Sequence, residues 1–426
     1  MEFPKILLTF WILVWMVFPV SAQKKLKTPE QLAKTKTYRS LEEANLNKKR
    51  VYILNLDSKN LDSIPVDIAK YKNIQELYLR TNHIQSLPPW IFELYNIQKL
   101  ILGENELREI PAEIGNLVNL KELDLFNNNL TTLPPEIGSL GLLRKIDLNW
   151  NQLRSLPEEI GNLSQLEILW LEKNQLEEMP ESIGQCFLLK ELKLADNQLT
   201  KLPASIGKLI RISSLNLSNN RLKEIPAELG EMDSLSQLNL RSNQLMDLPG
   251  TLTNLNKLKQ LDISDNQLSQ IDEGILGSES LEVLDLSSNK ISSVRLNGDN
   301  LRRLRSLELE NNNILDPGAI FSIYSLTRLN LSRNNIEKIE PEISNMKLLE
   351  YLDLSHNKIY SVTKSIGKLK KLTVLDLSDN QIRLLQMEIG GMTSLKNLYL
   401  QNNNISDYQK KNIRKYVPAE TEVRFH

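Results

Sequence analysis

One spacing limits what this chain can fold into more than any other feature: an asparagine returns every 23 residues. Fifteen of them run from Asn82, Asn105, Asn128, Asn151, Asn174 and Asn197 through Asn220, Asn243, Asn266, Asn289, Asn312, Asn334, Asn357, Asn380 and Asn403. A single step, between Asn312 and Asn334, is 22 residues. A fixed period over most of a chain implies like units stacked on one another, each touching only its neighbours. Every asparagine closes the same phrase, L-x-x-L-x-L-x-x-N-x-L. Leu120, Leu123, Leu125, Asn128 and Leu130 form one copy, and Leu372, Leu375, Leu377, Asn380 and Ile382 another. A sixteenth copy opens the array with Val51, Leu54, Leu56, Lys59 and Leu61, where lysine stands in place of asparagine.

The alternation Leu123-Asp124-Leu125 predicts a short strand with its leucines turned inward. The asparagine amide carries both a donor and an acceptor, so it can satisfy backbone groups at a buried bend, and stacking predicts a ladder of such amides. Lys59 can only donate, so the first coil is expected to lack that bond. A second phrase follows each bend, as in Ile110-Pro111-Ala112-Glu113-Ile114-Gly115-Asn116-Leu117. Proline suits the first position of a helical turn. Ile114, Leu117 and Leu120 lie three apart, an apolar stripe on a short helical segment, and Gly115 is expected to end or tighten it. A helical side thicker than the strand side predicts a curved stack, with parallel strands on the concave wall. From Asp272 onward the proline is missing, and Asp316-Pro317-Gly318 interrupts the short coil, so an irregular convex face is expected between about Ile271 and Ser325.

The 23-residue form with L-P-x-x-I-G resembles the Ras-suppressor-like group of leucine-rich repeats, which also occurs in plant intracellular proteins and in secreted bacterial proteins. The resemblance covers residues 51–406. It implies an α/β fold, a curved leucine-rich repeat solenoid with parallel strands on the concave face and short helices on the convex face. It also implies binding of other proteins on the concave wall; with nearly the whole chain committed to one stacked framework, no catalysis and no cofactor are expected.

The ends complete the expected organisation. Lys5 precedes an apolar run from Ile6 to Val20, and Val20-Ser21-Ala22 ends in small residues, the pattern of a signal peptide over residues 1–22. A fifteen-residue helix spans roughly 22 Å, short of the ~30 Å bilayer core, so cleavage is favoured over an anchor. A secreted, periplasmic or cell-surface location is expected, with no stable membrane insertion. Residues 23–50 are expected to cap the array at its entry, with Ser40-Leu41-Glu42-Glu43 as a capping box. Residues 407–426 should cap its exit: a helix from Asp407 with Ile413 and Tyr416 inward, stopped by Pro418, then a strand with Val423 and Phe425. The 426 residues carry a net charge of −1, which gives no basis for a nucleic-acid partner.

Catalytic or metal chemistry finds little footing in the sequence. His83 and His356 flank bends in coils two and fourteen, far apart along the stack, and the third histidine is His426. Cys186 is the single cysteine and falls at a convex turn, where a packed thiol is expected. The Asn-x-Ser/Thr matches at Asn129, Asn162, Asn216, Asn330 and Asn404 arise from the repeat itself.

Aligning the asparagines brings out a different feature. Coils two to six each carry one large apolar side chain in the outward columns: Tyr78, Ile101, Phe126, Trp150 and Trp170, with Ile168 beside Trp170. Five coils at ~4.8 Å per strand cover roughly 20–25 Å of wall. Aromatic clusters of that size mark interface cores. Arg80, Glu104, Lys145, Glu172 and Lys193 are expected to form a mixed-charge rim, and Asp262, Asp285, Glu308 and Glu310 a separate acidic column. Trp90 and Phe92 fall on the convex side and are expected to pack. The expected partner is a protein; the alternative is a glycan or cell-wall ligand stacking on the same aromatics.

Overall fold

The computed structural model describes residues 26–272, 279–296 and 298–426. The expected signal peptide lies outside the described residues. Sixteen coils contribute one short strand each, from Ile53–Asn55 in coil one to Asn397–Tyr399 in coil sixteen. Together with a cap strand at each end they form an 18-stranded sheet. All its pairings are parallel and stay in register, Leu77 beside Leu100 beside Leu123. The middle leucine of each strand points inward with its partner two residues on, and Leu77, Leu79 and Ile84 are fully buried. The result is one continuous apolar core along a curved solenoid, with the strands on the concave side.

The asparagine ladder forms as the amide chemistry requires. Asn197 is buried. Its Nδ2 donates to Leu194 O and Ala195 O within its own bend and to Leu171 O of the coil before, at 3.2, 3.2 and 2.9 Å. Its Oδ1 accepts from Leu176 N of that same earlier coil at 3.0 Å. One side chain therefore closes a bend and fastens two coils. Lys59 is exposed. It enters the ladder only through its backbone, donating its N–H to Asn82 Oδ1 at 3.0 Å.

The convex side differs from expectation in three details. Most of its segments are five-residue 3-10 turns, such as Ala112–Asn116, which suits the three-residue apolar spacing, while Gly298–Asn300 and Ile320–Ser322 have three. Proline stands one place earlier than expected: Pro111 caps the turn in extended conformation, and its carbonyl accepts from Ile114 N at 3.0 Å. Glycine is there for closeness rather than for a bend, since no glycine has positive φ among the described residues. A Cβ on Gly207 would lie 2.2 Å from Glu228 O of the next coil.

The expected irregularity takes a definite form. Proline has no N–H to give a ladder. Where it is missing, Gln270–Asp272 pairs with Ser293–Arg295, and Lys338–Ile339 with Ser361–Val362, as two small convex sheets. The 22-residue coil is absorbed on this side, because the main sheet runs through it in register, Leu284 to Leu307 to Leu329.

Both caps correct the expected details. Ser40 accepts from Glu43 N at 3.2 Å, but Glu43 answers to Arg39 N rather than to Ser40. The reciprocal box is instead at Thr28 and Gln31. At the exit, the helix Asp407–Tyr416 buries Ile413 and, one helical turn on, Val417, while Tyr416 is left 37% exposed. The strand Glu422–Arg424 then pairs with Asn397–Tyr399, and Phe425 is buried. Phe92 is buried on the convex side and Trp90 packs against the core there.

Asn197→Ala strands backbone groups in two coils and should lower unfolding stability by ~1–3 kcal/mol. Lys59→Ala should cost far less, because its side chain closes nothing. Urea unfolding of the two variants checks the contrast, and equal losses would refute the ladder's role.

Candidate binding surface on the concave wall

Each coil strand reads x-Leu-x, so the residues on either side of the leucine face the concave space. The residue two places further on forms a third outward column. In most coils an Asp or Asn occupies the second column and accepts from the backbone N–H two residues on. Asp124 does this for Phe126 N at 2.9 Å, Asp147 for Asn149 N at 3.1 Å, and Asp353 for Ser355 N at 2.9 Å. This Asx turn makes a second ladder, parallel to the asparagines, that holds the strand exits.

Six coils break it, with Tyr78, Ile101, Trp170, Lys193, Glu308 and Tyr399 in that column, and the aromatic breaks at coils two and six are repaired. Tyr78 and Trp170 stand where the acceptor belongs, and in both cases the preceding coil supplies a replacement. Asp57 Oδ1 accepts from Arg80 N at 2.7 Å, and Asn149 Oδ1 accepts from Glu172 N at 2.7 Å. A backbone donor otherwise stranded at an aromatic position is thus satisfied from one coil away.

The outward aromatics are tightly dressed with charge. The Tyr78 hydroxyl donates to Glu76 at 2.9 Å, and Lys99 lies 5.6 Å from its ring centre. Burial, and then Glu76, raise the tyrosine's pKa well above its ordinary value. Lys145 and Lys193 sit 4.3 and 4.7 Å from the Trp170 ring, whose Nε1 donates to Glu191 at 3.1 Å. Lys99 and Lys145 both reach Glu122, at 2.7 and 3.7 Å, and Lys193 reaches Glu172 at 3.6 Å. Arg80 crosses coil three to reach Asp124 at 3.6 Å, holding Glu104 at 2.8 Å on the way, and lies 5.2 Å from the Phe126 ring. Gly103 leaves the path for it: a Cβ there would meet Asp124 Oδ1 at 2.9 Å. The cations expected as a rim therefore lie on the rings themselves.

Trp150 is different. It occupies the place before the bend asparagine, where every coil has left-handed backbone, at φ 58°. That conformation costs a bulky residue roughly 1–2 kcal/mol, while Asn and Asp tolerate it. Trp150 is 49% exposed, with Lys173 at 3.7 Å from its ring centre. Phe126, Ile168, Tyr78 and Trp170 are half-buried. Ile101 contributes little surface, at 6% exposure, so coil three presents no large apolar side chain. The stripe is continuous over coils four to six and reaches Tyr78 only through Arg80.

The first outward column runs Glu76, Lys99, Glu122, Lys145, Ile168 and Glu191; sequence reasoning picks out Lys145 and Ile168 but misses the alternation of charge from Glu76 to Lys145. Tyr351 in the same column lies under Arg328, at 3.9 Å. In the acidic column, Glu308 pairs with Arg328 at 2.7 Å and Glu310 with Arg333 at 3.3 Å, so half of its charge is neutralised. His83 meets Glu106 at 3.2 Å and His356 meets Asp379 at 3.5 Å, each within its own neighbourhood. The Cys186 thiol is buried and donates to Ile160 O at 3.3 Å, and burial pushes its pKa up to about 11.

An open parallel sheet wall on a stack of leucine-zipped coils defines the molecule as a repeat solenoid. The chain belongs to the leucine-rich repeat family. A leucine-rich repeat region profile matches residues 44–153, and a leucine rich repeat profile matches 187–245, 247–291, 302–359 and 349–405. No curated protein matches the chain at the sequence level. Among solved structures it is similar to a leucine-rich repeat protein of Leptospira interrogans, at 37% identity over 92% of this chain and 100% of that one, with a TM-score of 0.75. A plant peptide hormone receptor, solved in complex with RGF2, matches at 27% identity over 92% of this chain and 69% of that one, TM-score 0.70. An internalin of Listeria monocytogenes shares the fold, at 23% identity over 77% and 87% of the two chains, TM-score 0.55.

Asp147 offers a test of the wall's electrostatics. Burial pushes its carboxyl up from 3.8 to about 6; the Asn149 N–H opposes this, Asp124 adds to it, and Lys145 opposes it. The folded state thus holds a proton that the unfolded state has lost between about pH 4 and 6, and stability falls as pH rises through that window. Asp147→Asn keeps the acceptor for Asn149 and removes the charge. It should raise stability above pH 6 by about 1–2 kcal/mol, and this gain should fade below pH 4. Thermal melts at pH 4 and pH 7.5 measure the difference.

Proposed function

We propose that the protein is an exported recognition protein that binds a protein partner on the concave wall of coils two to six and performs no catalysis. The observation that carries this is the repaired Asx ladder. Tyr78 and Trp170 displace groups that hold the backbone, and Asp57 and Asn149 take over that duty from the neighbouring coils. Side chains retained at such a structural cost, with compensation next door, are the kind that serve a site. Trp150 adds a strained, half-exposed ring at the edge of the same surface.

Burial of Trp150, Trp170 and Phe126 supplies the apolar centre of an interface, and the Lys99, Glu122, Lys145 and Glu172 pairs its polar surround. Lysines that already occupy the ring surroundings of Trp170 disfavour stacking by a sugar there, so a protein is preferred over a glycan for this stripe. The plant receptor's complex with RGF2 gives a precedent for partner capture by a related solenoid. No helix among the described residues is long and apolar enough to cross a membrane.

A photo-crosslinking residue in place of Lys173 should identify the partner by mass spectrometry. With that partner purified, Trp150→Asn combined with Trp170→Ala should weaken binding by about 2 kcal/mol or more. Trp150→Asn alone should also raise the melting temperature, because asparagine accepts the left-handed backbone. Unchanged affinity in the double variant would remove the stripe from the interface.

A further inference from the structure

Beyond the aromatic stripe, coils eight to eleven carry a second outward surface of a different chemistry. Ser214, Gln237, Gln260 and the half-exposed Val283 follow one another in the first column, and Asn216, Asn239, Asp262 and Asp285 in the second, in unbroken parallel register. They line a shallow cavity of about 420 Å³. The Asx turns fix the second column. Asn216 Oδ1 accepts from Ser218 N at 3.1 Å, Asn239 Oδ1 from Arg241 N at 2.9 Å, Asp262 Oδ1 from Ser264 N at 2.9 Å, and Asp285 Oδ1 from Ser287 N at 2.9 Å.

With one terminal atom of each side chain tied to the backbone, the other is held ready. Asn216 and Asn239 offer Nδ2 donors at two successive coils; Asp262 and Asp285 offer Oδ2 acceptors at the next two. The Gln237 and Gln260 amides alongside are exposed and engage no partner among the described residues. In coils two to six, by contrast, the outward polar groups are largely used on one another.

We propose that this tract binds a neutral glycan chain laid along the solenoid axis. A hydroxyl both accepts and donates, so a single ligand group serves the Asn donors, the Asp acceptors and the two-sided Gln amides. In the outward columns of these coils the two carboxylates, Asp262 and Asp285, outnumber the one cation, Arg241 beside the donor Asn239, which disfavours an anionic polysaccharide. Spacing separates a glycan from a peptide. Coils recur every ~4.8 Å, whereas an extended peptide returns like groups to one face every ~7 Å and falls out of step within two or three coils. A chain of sugar rings advances by about one strand spacing per ring and stays in step. The surface is independent of the aromatic stripe, so either assignment can fail without the other.

The test is binding of the purified protein to an array of neutral linear oligosaccharides, gluco-, manno- and N-acetylglucosamine hexamers among them, followed by titration calorimetry on the best one. Asn239→Asp keeps the Asx bond but turns a fixed donor into an acceptor, and should lower affinity at least tenfold. Gln237→Ala with Gln260→Ala, both exposed positions, should do likewise with an unchanged melting temperature. Trp150→Asn with Trp170→Ala should leave glycan affinity intact. Retention of no neutral glycan, or retention insensitive to Asn239→Asp, overturns the proposal. So does a result in which unstructured peptides, rather than glycans, bind with that sensitivity.

Discussion

The structure depends on one repeated interaction, the buried asparagine amide that bonds its own bend and the coil before it. In Asn197 four hydrogen bonds do this, and equivalent sets recur from Asn82 to Asn403. The bend it closes uses left-handed backbone at the preceding residue in every coil, with φ between 50° and 58° from Thr81 to Asn402, and never a glycine. Such backbone is unfavourable for an isolated L-residue. It persists because the amide and the two leucines beside it leave no other route for the chain. The stack then holds as a sum of neighbour contacts rather than through long-range ones.

That frame frees the outward columns, and different coils use the freedom differently. Where Asp and Asn keep the Asx turn, the strand exit is satisfied locally and the remaining polar atom faces the concave space. Where Tyr78 and Trp170 replace them, the exit is satisfied from the previous coil. The first arrangement builds a polar surface with open valences, and the second an apolar one wrapped in charge. Neither needs a change in the path of the backbone, so surfaces of two chemistries lie on one sheet without disturbing its register.

The period made the fold legible because amide, leucines and strand all follow from one spacing. What escaped were features set by a neighbouring coil. Gly207, like Gly115, sits where the sequence suggests a turn, but its reason lies 21 positions on, in the carbonyl of Glu228. Glu43 looked like the partner of Ser40, yet it also holds Lys36, at 2.5 Å, and turns to Arg39. In the candidate site, the column positions of Tyr78, Phe126, Trp150 and Trp170 were readable from the alignment of repeats. The burial of Ile101 and the reach of Arg80 across Gly103 were not, since both depend on side-chain paths around the one third-column position of these coils that has no side chain. Tyr416 was misplaced for a simpler reason: the helix buries residues four apart, Ile413 and Val417, rather than three.

The ladder also has a direction, and the direction explains why the two ends are built differently. Each amide reaches back to the coil before it, so the first coil is completed by the second: Asn82 Oδ1 takes both Lys59 N and Leu61 N, and its Nδ2 reaches Leu56 O. Lysine can therefore replace asparagine at the start with nothing left open behind it. At the far end no later amide arrives. The exit cap takes over with two backbone bonds and one hydroxyl: Leu400 N donates to Arg424 O, Glu422 N to Lys396 O, and the Thr421 hydroxyl to Leu395 O. An ordered helix must first turn the chain back to bring that strand alongside. A solenoid fastened in one direction can begin with an imperfect coil, but it needs a built ending.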